Sequence, residues 1–299
     1  MTSRLGQLSK QIFNMAAKTK TDIHLYTTGT PNGIKVSILL EELGLEYQVT
    51  PIDISKNTQK VGISETSICS VARGSTFNPS RGHYANARVQ EPWFLEINPN
   101  GRIPALTDKF EDGKTIRLFE SGSILQYLVD RYDKDHKVSY PYGSREYWEV
   151  NNWLHWQMGG LGPMQGQANH FKRYAPEKIQ YGIDRYTNET RRLYRTMDTA
   201  LAANPSGYLV GDRVTIADIA SWGWVAASKW AGIDLDEFPA LKAWLFKLVE
   251  RPGFEQGRHV PSKHTALDHF KMTDEELDEK AKGAAAWIQQ GMKDDAAKK

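Results

Sequence analysis

Apolar positions follow two rhythms along this chain: short alternating runs in the first part, then spacings of three and four residues. Ile23-His24-Leu25-Tyr26 has the alternation of a short strand. Thr30 then suits a helix N-cap and Pro31 the first helical position, while Ile34, Ile38 and Leu39 start an apolar face that Gly44 closes. Tyr47, Val49, Ile52 and Ile54 read as a second strand, broken or kinked at Pro51. After a long interruption come Trp93-Phe94-Leu95, where a further helix fits, and the turn Asn98-Pro99-Asn100-Gly101. Ile103 to Leu106 starts a third strand, paired with a fourth over Thr115 to Phe119 across Asp112-Gly113. Ser121 caps a helix through Tyr132. The order β-α-β-(α)-β-β-α predicts a thioredoxin-like layer.

Beyond it the spacing is helical. One helix starts at Ser144, another at Pro176 running to about Ala203, and Thr215-Ile216-Ala217-Asp218 has capping-box spacing with Asp in place of Glu. Pro239 starts a last core helix, closed by Arg251-Pro252. Trp153, Trp156, Trp222, Trp224, Trp230 and Trp244 are expected in the core of these helices. Thr273-Asp274-Glu275-Glu276 starts a short tail helix with a weak apolar face from Ala284 to Ile288, and the last seven residues are expected to fray. The fold class expected is therefore an α+β thioredoxin-like N-terminal domain followed by an all-α C-terminal domain. The boundaries fall at 1–21 for an extension, 22–137, 138–260, and 261–299 for the tail.

Charge and composition narrow the chemistry. With 299 residues, 38 basic and 36 acidic, the formal charge is 38 − 36 = +2, which excludes a strongly polyanion-seeking surface and any nucleic-acid partner read from charge. No uncharged apolar run reaches about 18 residues, so no membrane partner is expected. The single cysteine, Cys69, excludes an internal disulfide, a Cys-x-x-Cys redox centre and a thiolate zinc site. His155, His170, His259, His264 and His269 lack metal-site spacing, so no metal is expected. Residues 1–21 are basic, Ser-containing and free of acids. They read as a mitochondrial transit peptide or as an extension; the compartment expected is cytoplasmic, with the mitochondrion as the alternative.

Three places could carry chemistry. A cis proline at Ile103-Pro104 would leave the N–H and C=O of Ile103 free to pair outward with a peptide, although most X-Pro bonds are trans. At Glu120-Ser121 a helix start favours a carboxylate and the neighbouring acid an ammonium, the two charges of a free α-amino acid; an ordinary cap beside an exposed acid has the same residues. Thr30-Pro31-Asn32-Gly33 opens the first helix, where an anion or a thiolate meets the positive dipole end; a plain cap and turn would look alike.

The stretches TPNG, NPNGRIPAL, FESGSILQYL and TIAD together resemble the glutathione transferase superfamily. NNWLHWQMGGLGPMQGQANHFKRYAPEKIQYGIDRYTNET is similar to its Nu-class group, which includes bacterial glutathione-dependent disulfide-bond oxidoreductases and the fungal nitrogen-catabolite regulator. The resemblance spans about Asp22 to Leu267 apart from one gap. It implies a homodimer with glutathione as cosubstrate, up to two per subunit, and a small-molecule disulfide or electrophile as the other substrate. It implies further that Ile103, before cis-Pro104, pairs with the cysteinyl backbone, that Glu120 and Ser121 hold the γ-glutamyl end, and that Arg102 lies near the glycyl end. Thr30 and Asn32 face the sulfur, Gln59 contacts the ligand, and Arg185 reaches in from the partner subunit. The reactive sulfur would belong to glutathione, ionised at the first helix start; it attacks a disulfide, and a second glutathione resolves the mixed disulfide. Conjugation of glutathione to electrophiles uses the same thiolate. A non-catalytic regulator of transcription factors is the remaining alternative; the few Asn and Gln in residues 1–21 (Asn14, Gln7, Gln11) argue against it.

The gap is Val61 to Gln90. Joining Lys60 to Glu91 restores ISKNTQKEPWFLEINPNGRIPAL and sets Gln59 three residues before Pro92. A loop of 30 residues without structure is unusual within a domain. The segment reads as a translated intron: Val codons begin GT, a Gln codon can end in AG, and Ala85-Asn86 can be written GCTAAC. A genuine surface loop is the alternative. The intron reading suggests a eukaryotic source, and a fungal one is expected.

Overall fold

The computed structural model describes residues 18–54, 69–70 and 92–296. The first half forms β1 (His24–Thr27), α1 (Gly33–Glu42), β2 (Gln48–Pro51), the two-residue strand β3 (Cys69–Ser70), α2 (Pro92–Ile97), β4 (Ala105–Lys109), β5 (Thr115–Phe119) and α3 (Ser121–Tyr132). The sheet order is β3-β2-β1-β4-β5. β1 and β2 are parallel, which requires the crossover α1; the other pairs are antiparallel. Leu25 of β1 pairs with Val49 on one side and Leu106 on the other, and these three side chains join Ile34, Ile38, Leu125 and Leu128 in the main core. The alternate residues Tyr26 and Ala105 face the other way, onto Phe94, Trp93 and Ile97 of α2. The strand alternation seen in the sequence is this two-sided burial. A tight turn with Gly113 at φ +78° joins β4 to β5, where Asp112-Gly113 predicted it.

The second half is helical: α4 (Arg145–Trp156), α5 (Gly162–Asn169), α6 (Gln180–Ala203), α7 (Ile216–Ala226), α8 (Pro239–Val249), α9 (Pro252–Gly257) and α10 (Asp274–Ala296). Single π-helical turns at Gln157–Leu161 and His170–Tyr174 follow α4 and α5. Every residue of α7 is buried. That is why its sequence shows little amphipathic contrast and two tryptophans. The Thr215 side chain and Asp218 form the capping box at its start.

Several boundaries differ from the sequence reading, each for a local reason. α1 begins at Gly33 instead of Pro31, with Pro31 and Asn32 in a turn ahead of it; Thr30 nevertheless makes the bonds expected of a cap, its hydroxyl accepting from the Gly33 N–H and its carbonyl from the Ile34 N–H, both at 3.1 Å. Ser121 is the first residue of α3 rather than its cap; Glu120 holds the cap position. α6 starts at Gln180, four residues after Pro176. The tail expected to hold a short helix holds one of 23 residues. Thr273 and Glu276 exchange their expected capping bonds, at 2.8 and 3.2 Å. The helix then continues through much of the stretch expected to fray. Residues 1–17, Gln59, and 61–90 apart from Cys69 and Ser70 lie outside the described residues.

The halves meet along α1. A methyl group at Gly257 of α9 would sit 2.4 Å from the Ile38 Cα, and one at Gly223 of α7 would sit 2.8 Å from the Pro31 carbonyl oxygen. Both helices therefore lie backbone-close to α1, and α7 presses on the turn that precedes it.

Candidate functional site

A cavity of about 640 Å³ opens between the halves. Thr30, Pro31 and Asn32 form one side, the Asn98–Pro104 loop and Ile54 another, and Glu120 and Ser121 a third. Met158 and Trp224 come from the helical half, and Trp287, Ile288, Gly291 and Met292 from α10. The sheet side is polar and rich in backbone; the helical side is mostly apolar.

The loop before β4 is set by Asn98. Its side chain is buried, donates to the Arg102 carbonyl at 2.6 Å and accepts from the Asn100 N–H at 2.9 Å. Arg102 is exposed at the rim and the Ile103-Pro104 peptide is cis. Glu120 stands at φ 66°, ψ 113°, a conformation that costs a non-glycine residue about 1–3 kcal/mol. That backbone sets the Glu120 side chain on the cavity wall immediately before the Ser121 N–H that opens α3.

At the start of α1 two backbone donors are already engaged. The Gly33 N–H is taken by the Thr30 hydroxyl oxygen and the Ile34 N–H by the Thr30 carbonyl, both at 3.1 Å. The helix contributes its dipole, but these first N–H groups are spent. Two side chains remain as donors. The Thr30 hydroxyl, accepting from Gly33, keeps its proton to donate. Asn32 accepts at Oδ1 from the Trp224 indole at 3.1 Å, which leaves its Nδ2 protons for another acceptor. A methyl group at Gly33 would sit 2.0 Å from the Thr28 carbonyl oxygen, so only glycine lets this turn close.

Of the residues singled out from the sequence, Thr30, Asn32, Arg102, Ile103, Pro104, Glu120 and Ser121 line this one cavity. Gln59 lies outside the described residues. Arg185 is on the exposed side of α6 and does not line the cavity of its own chain. Trp224, read as a core residue, is buried yet has its indole on Asn32. Met158 and the four α10 residues were missed as site residues. The apolar face of Ala284 to Ile288 was the signal for α10, but it gave no hint of what the helix covers. α10 is fastened at its start by Arg173, whose buried guanidinium donates to Asp274 at 2.8 Å and Asp278 at 2.5 Å.

Burial lowers His264 and His269 to about 4, so both are neutral core groups. Among the described residues, no group of three or more His, Cys, Asp or Glu could hold a metal ion, and no helix is long and apolar enough to cross a membrane.

Comparison with known proteins places this geometry in context. Residues 30–131 match the glutathione S-transferase N-terminal domain and residues 164–252 the glutathione S-transferase C-terminal domain. The disulfide-bond oxidoreductase YfcG of Escherichia coli is 37% identical over 236 residues, covering 78% of this chain and 93% of YfcG. A glutathione transferase homologue from Lodderomyces elongisporus, solved with two glutathiones per subunit, superimposes with a TM-score of 0.67 at 41% identity, covering 81% of this chain and 99% of its own. The glutathione transferase URE2P6 of Phanerochaete chrysosporium, solved with oxidised glutathione, gives 0.64 at 36% identity, covering 79% and 94%.

Proposed function

We propose a disulfide reduction driven by bound glutathione for this chain, which belongs to the glutathione S-transferase family. The observation that carries the proposal is the pair of free donors, the Thr30 hydroxyl and the Asn32 amide, converging on a cavity whose described lining includes no cysteine. Such a site has the means to stabilise a thiolate and no thiol of its own. Cys69 lies in β3 at the edge of the sheet, paired in register with Val49. The thiolate is therefore assigned to glutathione.

In this reading Glu120 and Ser121 take the γ-glutamyl end, the Ile103 backbone the cysteinyl residue and Arg102 the glycyl carboxylate. The thiolate, held by Thr30 and Asn32, attacks one sulfur of a disulfide RSSR. The new bond gives the mixed disulfide, and RS⁻ leaves to take a proton. A second glutathione thiolate then attacks the glutathionyl sulfur, forming oxidised glutathione and releasing the second RS⁻. Two glutathiones are consumed and two thiols formed. Holding both in one site makes the exchange local. The exposed position of Arg185 suits a role toward the cavity of a partner subunit in a homodimer.

Glutathione-dependent reduction of hydroxyethyl disulfide, measured beside conjugation to a chlorinated nitrobenzene, tests the proposal. Reduction should dominate, and Cys69→Ser should leave it unchanged; a large loss in that variant would return the nucleophile to the protein. A second reading, conjugation of electrophiles, is favoured by the apolar wall of Met158, Trp287, Ile288 and Met292 opposite the polar side. Dominant conjugation in the same assay would select it.

The translated-intron reading carries its own prediction. A chain with Lys60 joined to Glu91 should fold and bind glutathione at least as tightly as the full chain, since Gln59 then stands three residues before Pro92, the spacing at which the resemblance gives it a ligand contact. Weaker binding by the shortened chain would favour a genuine loop, as would transcripts that retain all 30 codons.

A further inference from the structure

Lys35 is fully buried in the first turn of α1. Its Nζ donates to the Ser121 Oγ at 3.1 Å and the Gln157 Oε1 at 2.7 Å, and lies 3.6 Å from the Met158 sulfur. All three partners are neutral. Among the described residues no carboxylate forms an ion pair with it. A buried ammonium without a counter-ion is expensive, and a methionine would fill the same space without that penalty. The charge has a use if an anion arrives.

Ser121 stands between Lys35 and the cavity. Because its oxygen accepts from Lys35, its hydroxyl proton points elsewhere. The acceptor there now is the Met158 sulfur at 3.4 Å, a weak one. A carboxylate in the cavity would be far stronger. Glu120, the preceding residue, lines the cavity with the opposite charge.

We propose that Lys35 is a positioning residue of this site: acting through the Ser121 hydroxyl, its ammonium is the buried counter-charge for the α-carboxylate of the ligand, so that Lys35, Ser121 and Glu120 together read the zwitterionic end of glutathione. The proposal deepens the glutathione reading and rests on it.

One consequence is a proton taken up on binding. Burial lowers the Lys35 amine to about 7, with Glu120 acting in the opposite sense. The turn after α4 presents Gln157 and Met158 to the amine; of the other elements packed on α1, α7 and α9 approach its backbone with Gly223, beside Pro31 and Ile34, and Gly257, beside Ser37 and Ile38, and β1 lies against it as well. The remaining charges on α1 are paired at its far end, Glu41 with Lys18 and Glu42 with Arg251. A carboxylate on Ser121 favours the protonated amine and raises its pKa. Binding is then strongest below about 7 and weakens as pH rises through the raised, liganded value.

Calorimetry with S-methylglutathione tests this, because that ligand has no thiol proton to release. Titrations near pH 7.5 in two buffers of different ionisation enthalpy should show the wild-type protein taking up roughly half a proton or more. Lys35→Met should take up none and bind about ten- to hundredfold more weakly. It should also raise the KM for glutathione with kcat at saturation nearly unchanged, because Lys35 does not reach the sulfur. Adding Ser121→Ala to Lys35→Met should cost little more, since the two act as one unit. Wild-type binding without proton uptake, or Lys35→Met binding with wild-type affinity, overturns the role of Lys35 while leaving the glutathione reading intact. No binding of S-methylglutathione by the wild-type protein overturns both. If Lys35→Met does not fold, the wild-type proton uptake decides alone.

Discussion

Asn32→Ala should slow disulfide reduction about tenfold at pH 6, and at pH values where both thiolates are fully formed it should be no slower than wild type and up to several-fold faster. The size of the effect follows from two opposing terms. A hydrogen bond to a charged group contributes about 1.5–3 kcal/mol, so losing one from a thiolate raises its pKa by about one to two units. Below the pKa this removes thiolate by about ten- to hundredfold. A more basic thiolate is also a better nucleophile, with a Brønsted slope of about 0.4–0.5, which returns nearly half of that loss on a logarithmic scale. Above the pKa of both proteins the thiolate is fully formed and only the nucleophilicity differs. The deficit must therefore shrink with rising pH and reverse once both thiolates are fully formed, whereas a purely structural defect would lower the rate at every pH. Affinity for glutathione should change little, because the rest of the tripeptide is held elsewhere. A pH–rate profile for reduction, recorded for both proteins, checks this; superimposable profiles would remove Asn32 from the chemistry. Trp224→Phe should move the profile the same way, since its indole donates to the Asn32 Oδ1 at 3.1 Å and so fixes which way the amide is turned. The double variant should be no worse than Asn32→Ala alone.

Trp224 also shows where sequence reasoning stopped. The strands and the Asp112-Gly113 turn were legible because period-two burial writes itself into the residues that face α1 or α2. The start of α1 was read two residues early, at Pro31: Thr30 makes the bonds expected of a cap, to the Gly33 and Ile34 N–H groups, but Pro31 and Asn32 form a turn ahead of the regular helix. The role of Trp224 depends on a contact with Asn32 across 192 positions, and no local pattern separates it from Trp222, which is wholly buried. Lys35 is the same case: its neighbours in the sequence are apolar, and its meaning comes from Ser121 and Gln157, 86 and 122 positions away. Local signals marked the polar side of the site. The apolar side came from α4–α10 packing, which only the assembled fold reveals.

Asp218→Ala should destabilise the protein by about 4–6 kcal/mol, the largest stability effect of any single change considered, and lower the melting temperature by roughly 10–20 °C. Asp218 is fully buried and accepts from the Leu209 N–H at 3.0 Å, the Thr215 N–H at 2.9 Å, the Thr215 hydroxyl at 3.1 Å and the Trp244 indole at 2.8 Å. Alanine would leave three N–H donors buried without a partner, each worth about 1–3 kcal/mol; the Thr215 hydroxyl can turn to another acceptor. The effect is a large fraction of the roughly 5–15 kcal/mol by which a folded protein exceeds its unfolded chain. Thr215→Ala removes one cap from the same turn and should cost only about 1 kcal/mol. The difference in size matters for function, because this turn aims α7, and α7 carries both Gly223 against Pro31 and the Trp224 indole on Asn32. Loss of the Asp218 carboxylate should therefore impair the site at temperatures where most of the fold survives, with disulfide reduction falling before the helical content does. Thermal melts followed by circular dichroism, alongside activity after graded heating, measure both. An Asp218→Ala protein melting within a few degrees of wild type would show that the four bonds are not what holds α7 in place.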